Sequence, residues 1–321
     1  MKFGAYLDTY YAYDFNDPVS NQRPYVTQYD RHNEFSINHA WIRGAYESEN
    51  IRSSLAIQLG TYPANNYGAE PTWAQMIYEG FAGYKITENS WLDVGVFGGH
   101  FGYESALSLD RELLSPALAT EYTPYYQSGI RYTYEVSQST QVRAVVLNGW
   151  QNIQETNNNK SVGVAIDHQF NDMITASYGN YYGKDISAQS NVWRLHNNAL
   201  LKLAPTDELT FVAVIDWTLQ DAPLDNGNYQ ATFLTLMSNY NFTDEWSIAG
   251  RFEQVNDDYK ILISTAYPDV NQTILSISVN YYPTSNVALK LEPKLYTQPT
   301  MSAANDKSPL VIQGGFSVRL E

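Results

Sequence analysis

The sequence contains no cysteine, which excludes disulfide bonds and thiol chemistry and is compatible with a periplasmic or surface location. Basic residues are scarce as well: 19 Lys and Arg stand against 34 Asp and Glu, so no nucleic-acid partner is expected. No apolar run approaches the ~18 residues that a membrane-spanning helix needs. Residues 1–14 lack the basic start and apolar stretch of a signal peptide, and we interpret them as the first strand of a mature chain.

Tyrosine is the most unusual feature of what is present, with 27 residues. Tyr and Trp are common in β-strands and also concentrate at membrane interfaces, where an apolar ring meets a polar handle. The hydropathy of the chain is that of a water-soluble protein. This does not argue against a membrane location, because a transmembrane β-strand turns half of its side chains toward a polar lumen.

The stretch from 141 to 170 shows the pattern that recurs along the chain. In its second half Val162, Val164 and Ile166 share one face, while Gly163 and Asp167 share the other. Strict alternation with a period of two residues predicts a β-strand that lies between two different surroundings. A long polar break precedes this strand and a short turn follows it.

The same alternation predicts sixteen strands. Turns of about two to four residues alternate with loops of about seven to twenty residues, as in outer-membrane barrels. The predicted strands are Lys2–Tyr13, Phe35–Tyr46, Ile51–Thr61, Met76–Ile86, Trp91–Phe101, Tyr125–Val136, Gln141–Trp150, Ser161–Phe170, Met173–Gly183, Val192–Leu203, Leu209–Leu219, Tyr229–Phe242, Trp246–Val255, Thr273–Tyr282, Val287–Tyr296 and Leu310–Leu320.

Strand length and connection length together predict the fold class. Each strand is close to the ~9–11 residues that cross a bilayer at a tilt. Soluble β-sandwiches do not require short and long connections to alternate, whereas outer-membrane barrels have short periplasmic turns, long extracellular loops and an even strand number. We therefore predict an all-β fold, a transmembrane antiparallel up-and-down β-barrel of about 16 strands. Residues 1–321 are expected to form this single domain.

The alternation also assigns a lipid face and a lumen face. Outward sets include Phe211, Ile215 and Trp217, whereas Arg43 is an exception that the register places outward, and the alternation in 229–242 is blurred. Ten basic and eight acidic residues point inward: Asp8, Arg52, Glu79, Lys85, Asp93, Arg131, Glu135, Arg143, Asp167, Arg194, Lys202, Asp216, Arg251, Glu253, Lys290, Glu292, Lys294 and Arg319. An unpaired buried ion costs several kcal/mol, so we expect these charges to be hydrated in a water-filled pore.

Several stretches resemble a known family. They are GAYLDTYYAYDF (4–15), YDRHNEFSINHAWI (29–42), FAGYKI (81–86), VGVFGGHFGYES (94–105), EYTPYYQSGIRYTY (121–134) and NGWQNI (148–153). This set of aromatic, Gly and Asn positions is similar to the β-barrel porins described as OmpL-like. The resemblance implies an outer-membrane porin of a Gram-negative bacterium. It carries over no catalytic residues and no substrate.

The loop Gly102–Pro124 is the candidate constriction, since the third long loop folds into the lumen in many general porins. If it does so here, its charged side chains face wall arginines and create a transverse field that orients polar solutes. The alternative is an exposed loop with a short helix around 113–118. The candidate pore-lining and constriction residues are Glu104, Asp110, Arg111, Glu112, Glu121, Arg52, Arg131, Arg143, Asp167, Arg194, Asp216, Arg251 and Glu253.

Three further groups have weaker signals. The acidic outer loops could bind Ca²⁺, but they lack the ligand spacing of a calcium loop, so solvated charge is favoured; they contain Asp14, Asp17, Asp30, Asp221, Asp225, Asp257, Asp258 and Asp269. Five tryptophans near strand ends suggest a membrane girdle: Trp91, Trp150, Trp193, Trp217 and Trp246. Of the histidines, His39, His100 and His168 fall on the predicted lipid face, but no Ser flanks them in a hydrolase motif.

The function expected from these observations is passive diffusion of small hydrophilic solutes or ions through the barrel. A scaffold barrel that binds a surface protein through long loops, especially 14–33, is the alternative, and a soluble carbohydrate binder is a third. We expect neither a cofactor, a metal nor catalysis. The expected partners are outer-membrane lipid, lipopolysaccharide and the solutes, together with a second copy of the chain or a surface protein.

Overall fold

The computed structural model describes residues 1–18, 20–23, 25–184, 192–222, 227–263, 270–297 and 310–320. These residues form one closed antiparallel barrel in which each strand pairs with its neighbours in sequence and β1 pairs with β16. The strands are β1 Lys2–Asp14, β2 Phe35–Glu47, β3 Ile51–Leu59, β4 Ile77–Thr87, β5 Ser90–Gly98, β6 Tyr126–Ser137, β7 Thr140–Leu147, β8 Ser161–Asn171, β9 Ile174–Gly183, β10 Arg194–Leu203, β11 Leu209–Asp221, β12 Asn228–Asn241, β13 Trp246–Asn256, β14 Gln272–Thr284, β15 Val287–Tyr296 and β16 Leu310–Leu320.

The predicted fold class and strand number are confirmed. Three predicted strands extend too far: β3 ends at Leu59 and not at Thr61, β7 ends at Leu147 and not at Trp150, and β5 ends at Gly98 and not at Phe101. The backbone N–H of His100 donates to the side chain of Gln127 at 3.2 Å, and its imidazole lies 2.7 Å from the carbonyl of Asn180 on β9. The chain has therefore left the wall and turned into the barrel by this residue.

Short helices occur only in the connections, within the described ranges. They are α1 Thr61–Asn66, α2 Thr72–Gln75, α3 Leu118–Tyr122 and a 3₁₀ turn at Ser108–Asp110. In the part of the chain that the structure describes, none of the helices has the length and apolar character to span a membrane. The helix considered around 113–118 lies instead at the end of that segment, as α3.

The predicted division into two faces is confirmed along most strands. On β11 the outward side chains Phe211 and Ile215 are exposed, whereas Asp216 is buried. On β14 Leu275 and Ile277 are exposed in the same way. An exposed apolar band of this kind around a barrel is the surface that meets lipid.

A β-bulge resolves the exception at Arg43. The register between β1 and β2 shifts between Asp8 and Thr9, so that Asn38 is an extra residue on β2. A bulge moves every later side chain to the opposite face. Both Asn38 and His39 are consequently buried, and the Arg43 guanidinium lies 5.3 Å from the Trp41 ring, inside the barrel. The outward placement of Arg43 and of His39 is wrong for this reason.

The tryptophan girdle is present only in part. Trp217 and Trp246 are exposed on the outer surface, and Trp246 stacks on Tyr281 with ring centroids 4.6 Å apart. Trp150 instead packs on Phe101 and Tyr181 inside the barrel. The ring of Trp91 lies 4.6 Å from the guanidinium of Arg52, which faces the lumen. Position near a strand end did not distinguish the two faces.

The loop side of the lumen is filled by an apolar cluster. It combines wall side chains with residues of the first loop (15–34), the inward loop (99–125) and the loop that follows β13. Its loop members are Tyr25, Val26, Leu118, Ala119, Ile261, Leu262, Ile263 and Val270. A lumen packed with apolar side chains holds far less water than a barrel whose loops stay outside.

The expectation that the wall charges are hydrated is wrong for half of them. The reason is that loop segments and neighbouring wall side chains cover these groups and supply hydrogen bonds in place of water. The buried members are Asp8, Asp93, Arg194, Asp216, Arg251, Glu253, Lys290, Glu292 and Lys294.

Candidate functional site

The inward loop crosses the lumen and binds the wall opposite its own strands. Its ends belong to β5 and β6, yet the Ser108 carbonyl accepts from Lys290 on β15 at 2.8 Å. The Glu112 carbonyl accepts from Asn280 on β14 at 2.8 Å, and the backbone N–H of Leu118 donates to Glu253 on β13 at 2.6 Å. Hydrogen bonds at three points along the loop hold it across the barrel.

Five buried charges fix the middle of this loop, and we call them the clamp: Arg251, Lys294, Glu104, Glu253 and Glu292. Arg251 lies 3.1 Å from Glu104, 2.8 Å from Glu253 and 3.6 Å from Glu292. All three carboxylates and the guanidinium are at most 2% exposed. Charges buried this deeply remain ionised only when they are paired and hydrogen-bonded, so the clamp requires all of its members.

Backbone groups of the loop complete the hydrogen bonding of the clamp. Arg251 donates to the carbonyls of Ser115 at 2.7 Å and Pro116 at 3.0 Å. The Ser115 backbone N–H and hydroxyl both donate to Glu292, at 2.7 and 2.6 Å. A proline following a serine has no N–H to satisfy, so this short stretch offers the wall mainly acceptors, which suits an arginine.

Glycines in the wall allow the loop to approach closely. A side chain at Gly163 would overlap the His100 ring, and one at Gly179 would overlap Phe101. On the opposite wall, a side chain at Gly315 would overlap Leu114. Each of these wall positions faces the lumen, and the absence of a Cβ provides the space that the loop occupies.

The first loop packs against the inward loop. The Glu121 carboxylate accepts from the backbone N–H of Thr27 at 2.9 Å and from the Thr27 hydroxyl. Tyr29 donates to Asp8 at 2.7 Å and accepts from Arg111 at 3.0 Å. Burial raises the pKa of the Glu121 carboxyl, although its hydrogen bonds from Thr27 oppose this shift.

Tyr29 adopts a conformation that is rare for its residue type. Its φ is 55° and its side chain is fully buried. A bulky residue in the left-handed region costs of order 1–3 kcal/mol, and it persists only where surrounding contacts determine it. The hydrogen bonds with Asp8 and Arg111 fix this conformation of Tyr29. They hold this part of the first loop inside the barrel.

Three arginines on the wall of β3 to β7 remain partly exposed to the lumen. Arg52 and Arg131 both pair with Asp93, at 2.6 and 3.0 Å, and their side chains are 26% and 18% exposed. Arg143 pairs with Asp167, which is 35% exposed. The partners of these arginines are wall carboxylates.

The expected transverse field between loop carboxylates and these arginines is not what the structure shows. Glu104 turns to Arg251 and Asp110 turns to Arg319, at 2.8 Å, on the far wall. Glu112 accepts from Tyr103 within the loop. The physical reason is that the loop docks on the opposite side of the lumen, where its charges already have partners.

Two remaining candidates lie on β10 and β11. Arg194 is buried, donates to Gln220 at 3.0 Å and lies 4.9 Å from the Trp150 ring. Asp216 accepts from Asn198 at 2.8 Å and lies 3.2 Å from His196 Nε2. Both were expected to line the pore, and both face the lumen; Asp216 also borders a cavity.

Two small cavities lie between the inward loop and the wall of β8 to β12. One has a volume of about 60 Å³ and is lined by Arg143, Asp167, Ser177 and Asn198, among others. The other, of about 10 Å³, is lined by Glu104, Thr120, Asn198, Asp216 and Thr235, among others. A larger recess of about 580 Å³ opens beneath the loop at the turn side, beside Asp110 and Tyr282.

Three of the acidic loop residues are less exposed than solvated charge implies, whereas Asp17 and Asp258 are exposed. Asp14 accepts from Tyr25 at 3.1 Å and Asp30 from Tyr10 at 3.2 Å, and both are buried. Asp257 accepts three backbone N–H groups from residues 261–263. Asp225 and Asp269 lie outside the described residues. Among the described residues, no group of three or more His, Asp or Glu is arranged to hold a metal ion.

The sequence pattern did not predict that the first loop packs inside the barrel. Tyr25, Gln28 and Tyr29 contact the inward loop, but their stretch has no periodicity that could have marked them as interior. Lys290, Glu292 and Lys294 were assigned to the wall without being selected as site residues. Their spacing of two residues was the available signal, because three charges on the inner face of one strand require partners.

Comparison with protein families gives a match over almost the whole chain. The family model described as "Putative beta-barrel porin-2, OmpL-like" matches residues 1–319. No curated protein matches the chain.

Comparison with solved structures gives porins of low sequence identity. OmpF of Salmonella typhi, in complex with daunomycin, is 12% identical with a TM-score of 0.64, over 99% of this chain and 97% of that one. An anion-selective porin from Comamonas acidovorans is 9% identical with a TM-score of 0.61, over 99% of each chain. OmpT of Vibrio cholerae in its trimer form is 10% identical with a TM-score of 0.61, over 99% of this chain and 98% of that one. Identities this low show a shared fold.

Proposed function

We propose a narrow pore for this chain, which belongs to the OmpL-like β-barrel porin-2 family and is a passive diffusion channel of the bacterial outer membrane. The solutes in this proposal are small and hydrophilic, with inorganic ions as the main class. The observation that carries the proposal is the inward loop, which spans the lumen and is held on the far wall by Lys290, Asn280 and Glu253. A smaller free cross-section admits smaller solutes.

Planar-bilayer recording of the purified protein tests this proposal. We expect stable channels of small unitary conductance, together with exclusion of sugars in a vesicle-swelling assay. A barrel that heat-shift electrophoresis shows to be folded but that carries no current would contradict the proposal. Free passage of disaccharides would contradict the narrow bore while leaving a wide pore in place.

The interior histidines support a channel without catalysis. His196 lies 2.8 Å from the Thr218 hydroxyl and 3.2 Å from Asp216. This arrangement resembles a catalytic triad in which Thr218 is the nucleophile, His196 the base and Asp216 the acid. Thr218 and His196 are both fully buried, so a substrate has no access to this hydroxyl. His100 is held by Gln127 and a backbone carbonyl, and burial lowers the pKa of its imidazole. The network therefore stabilises the wall.

The first loop does not favour the scaffold alternative. A partner-binding loop presents its side chains to the outside, whereas Tyr25, Gln28, Tyr29 and Asp30 are buried inside the barrel. A pull-down with the native barrel as bait would show whether the remaining exposed loops retain a partner.

The outer surface supports assembly of several copies. A furrow of about 1250 Å³ crosses β14 to β16 and β1 to β3, with mostly apolar side chains and Gly314 in its floor. A second copy is the proposed occupant, and lipid and lipopolysaccharide cover the rest of the apolar band. Light scattering in detergent tests this: we expect an oligomer, and we expect Gly314→Leu, which fills the furrow, to give monomers. A monomeric native protein would refute the assembly.

A further inference from the structure

The wall that carries Arg52 and Arg131 is closed toward the loop side. The Arg131 guanidinium lies 4.4 Å from the Phe97 ring, and Phe97 is buried with Val145, Leu147 and Tyr181. These side chains form an apolar layer directly beyond the arginine cluster. An ion that reaches Arg131 from the turn side therefore meets apolar packing, and crossing it would strip the ion of water.

The wall from β8 to β12 has a different lining. The cavities of about 60 and 10 Å³ both touch Gly102 and Asn198, so they adjoin one another. Their other polar lining includes the hydroxyls of Ser177, Thr235 and Thr120, which both donate and accept hydrogen bonds, together with His100 and the charged residues Arg143, Asp167, Glu104 and Asp216. A row of hydroxyl and amide groups replaces the hydration shell of a passing ion.

Gly102 lines both cavities and has a backbone conformation that favours glycine. Its φ is 105°, and a side chain built there would meet nothing within 4 Å. The residue is exposed, which places open space next to the loop backbone. The loop therefore leaves room on the β8 to β12 side, whereas hydrogen bonds with Lys290, Asn280 and Glu253 attach it to the β13 to β15 side.

The charges along this row are mainly negative. Asp216 contacts Asn198 and His196, and neither of these carries a permanent positive charge. Asp167 pairs with Arg143 but is 35% exposed toward the lumen. Carboxylates that line a narrow passage with low-dielectric walls raise the local concentration of cations and repel anions.

We infer that the permeation route runs between the inward loop and the wall of β8 to β12, past Gly102, and that it prefers small cations. This inference rests on the proposed function. Asp167 and Asp216 are the specificity-determining residues of the route. The cluster of Arg52, Asp93 and Arg131 lies off the route.

The absence of cysteine permits a direct test of the route, because any introduced thiol is unique. Ser177→Cys places a thiol at the larger cavity, and Ser54→Cys places one on the opposite wall, beside Glu79. Silver ion, a small cation that binds thiolates, is added during bilayer recording. We expect it to block the current of Ser177→Cys and to leave Ser54→Cys unblocked.

The outcomes separate the route from the proposed function. Block of Ser54→Cys without block of Ser177→Cys would overturn the route and leave the channel intact. A folded native barrel that carries no current would remove the channel itself. Block of neither variant in a conducting barrel also overturns the route.

Ion selectivity tests the assignment of the carboxylates. In a KCl gradient we expect the native channel to favour K⁺, and we expect Asp167→Asn to lower the K⁺/Cl⁻ permeability ratio about three- to tenfold. Asp110→Asn is the matched control, since Asp110 also pairs with a partly exposed arginine, Arg319, on the other side of the lumen. Anion preference in the native channel, or an equal change in both variants, would overturn the assignment.

Discussion

Replacing Arg251 by methionine removes the centre of the clamp while keeping a side chain of similar length. In the native protein this guanidinium pairs with Glu104, Glu253 and Glu292, and all four side chains are at most 2% exposed. Lys294, 3.8 Å from Glu253, then remains the one cation of the clamp against three carboxylates. We expect the loop to detach from β13 and β15 so that the carboxylates can regain water.

The expected cost follows from burial. Removing one partner of a buried, hydrogen-bonded ion network costs about 3–5 kcal/mol, since the charges left behind stay desolvated. Arg319→Met is the matched comparison, because Arg319 binds Asp110 of the same loop in a pair that is 24% and 36% exposed. An exposed pair contributes about 0–1 kcal/mol.

Urea unfolding in lipid vesicles, followed by tryptophan fluorescence, measures both variants. We expect Arg251→Met to lose several kcal/mol in the free energy of unfolding and to show larger, noisier single-channel currents. Arg319→Met is expected to stay near the native protein in both. Equal losses for the two variants, or an unchanged conductance in Arg251→Met, would refute the view that buried charge fixes the loop.

Three further changes test other parts of the interior. Gly315→Ala is expected to cost about 1–3 kcal/mol by displacing Leu114, whereas Gly314→Ala, whose nearest neighbours lie 3.7 and 3.8 Å away, is expected to be near neutral in the same urea assay. Gly129→Ala is expected to lower the yield of folded barrel on electrophoresis, because φ is 155° and a Cβ would strike the backbone of β7. Burial raises the pKa of Glu121 in the folded state, so its contribution to stability is fully present below the unfolded pKa and is lost as pH rises through the folded pKa. Glu121→Gln should therefore gain stability relative to the native protein as the pH rises from below 4.5, the ordinary pKa of a glutamate carboxyl, and a pH-independent difference would contradict this.

The strands were predictable because lipid and lumen impose a strict period of two residues on each of them. Leu310–Leu320 and Val287–Tyr296 match their predicted bounds for this reason. The alternation cannot reveal an extra residue within a strand, so the bulge at Asn38 reversed the prediction for Arg43. A local sequence pattern cannot show that a strand contains an extra residue, because this depends on its register with the neighbouring strand.

The interior was predictable only as a set of charged positions. Alternation identified Arg251 and Glu253 as inward, but their partner Glu104 lies in a loop without periodicity. Whether a wall charge meets water or a loop depends on contacts between distant segments. The hydrated wall was therefore the wrong expectation at Arg251, whereas Asp167 remains 35% exposed.

The long sequence separations between the inward loop and its partners on the wall determine when the width of the pore is set during assembly. The loop that follows β5 binds Glu253, Glu292 and Arg319, which lie 135, 177 and 209 residues after their loop partners. The contact with Glu253 requires β13, the contact with Glu292 requires β15 and the contact with Arg319 requires β16, and such distant pairings are slow to establish. An assembling barrel that lacks its closing strands is therefore a wider and leakier object than the finished one. Closure of the seam between β1 and β16 completes both the wall and the restriction of its lumen.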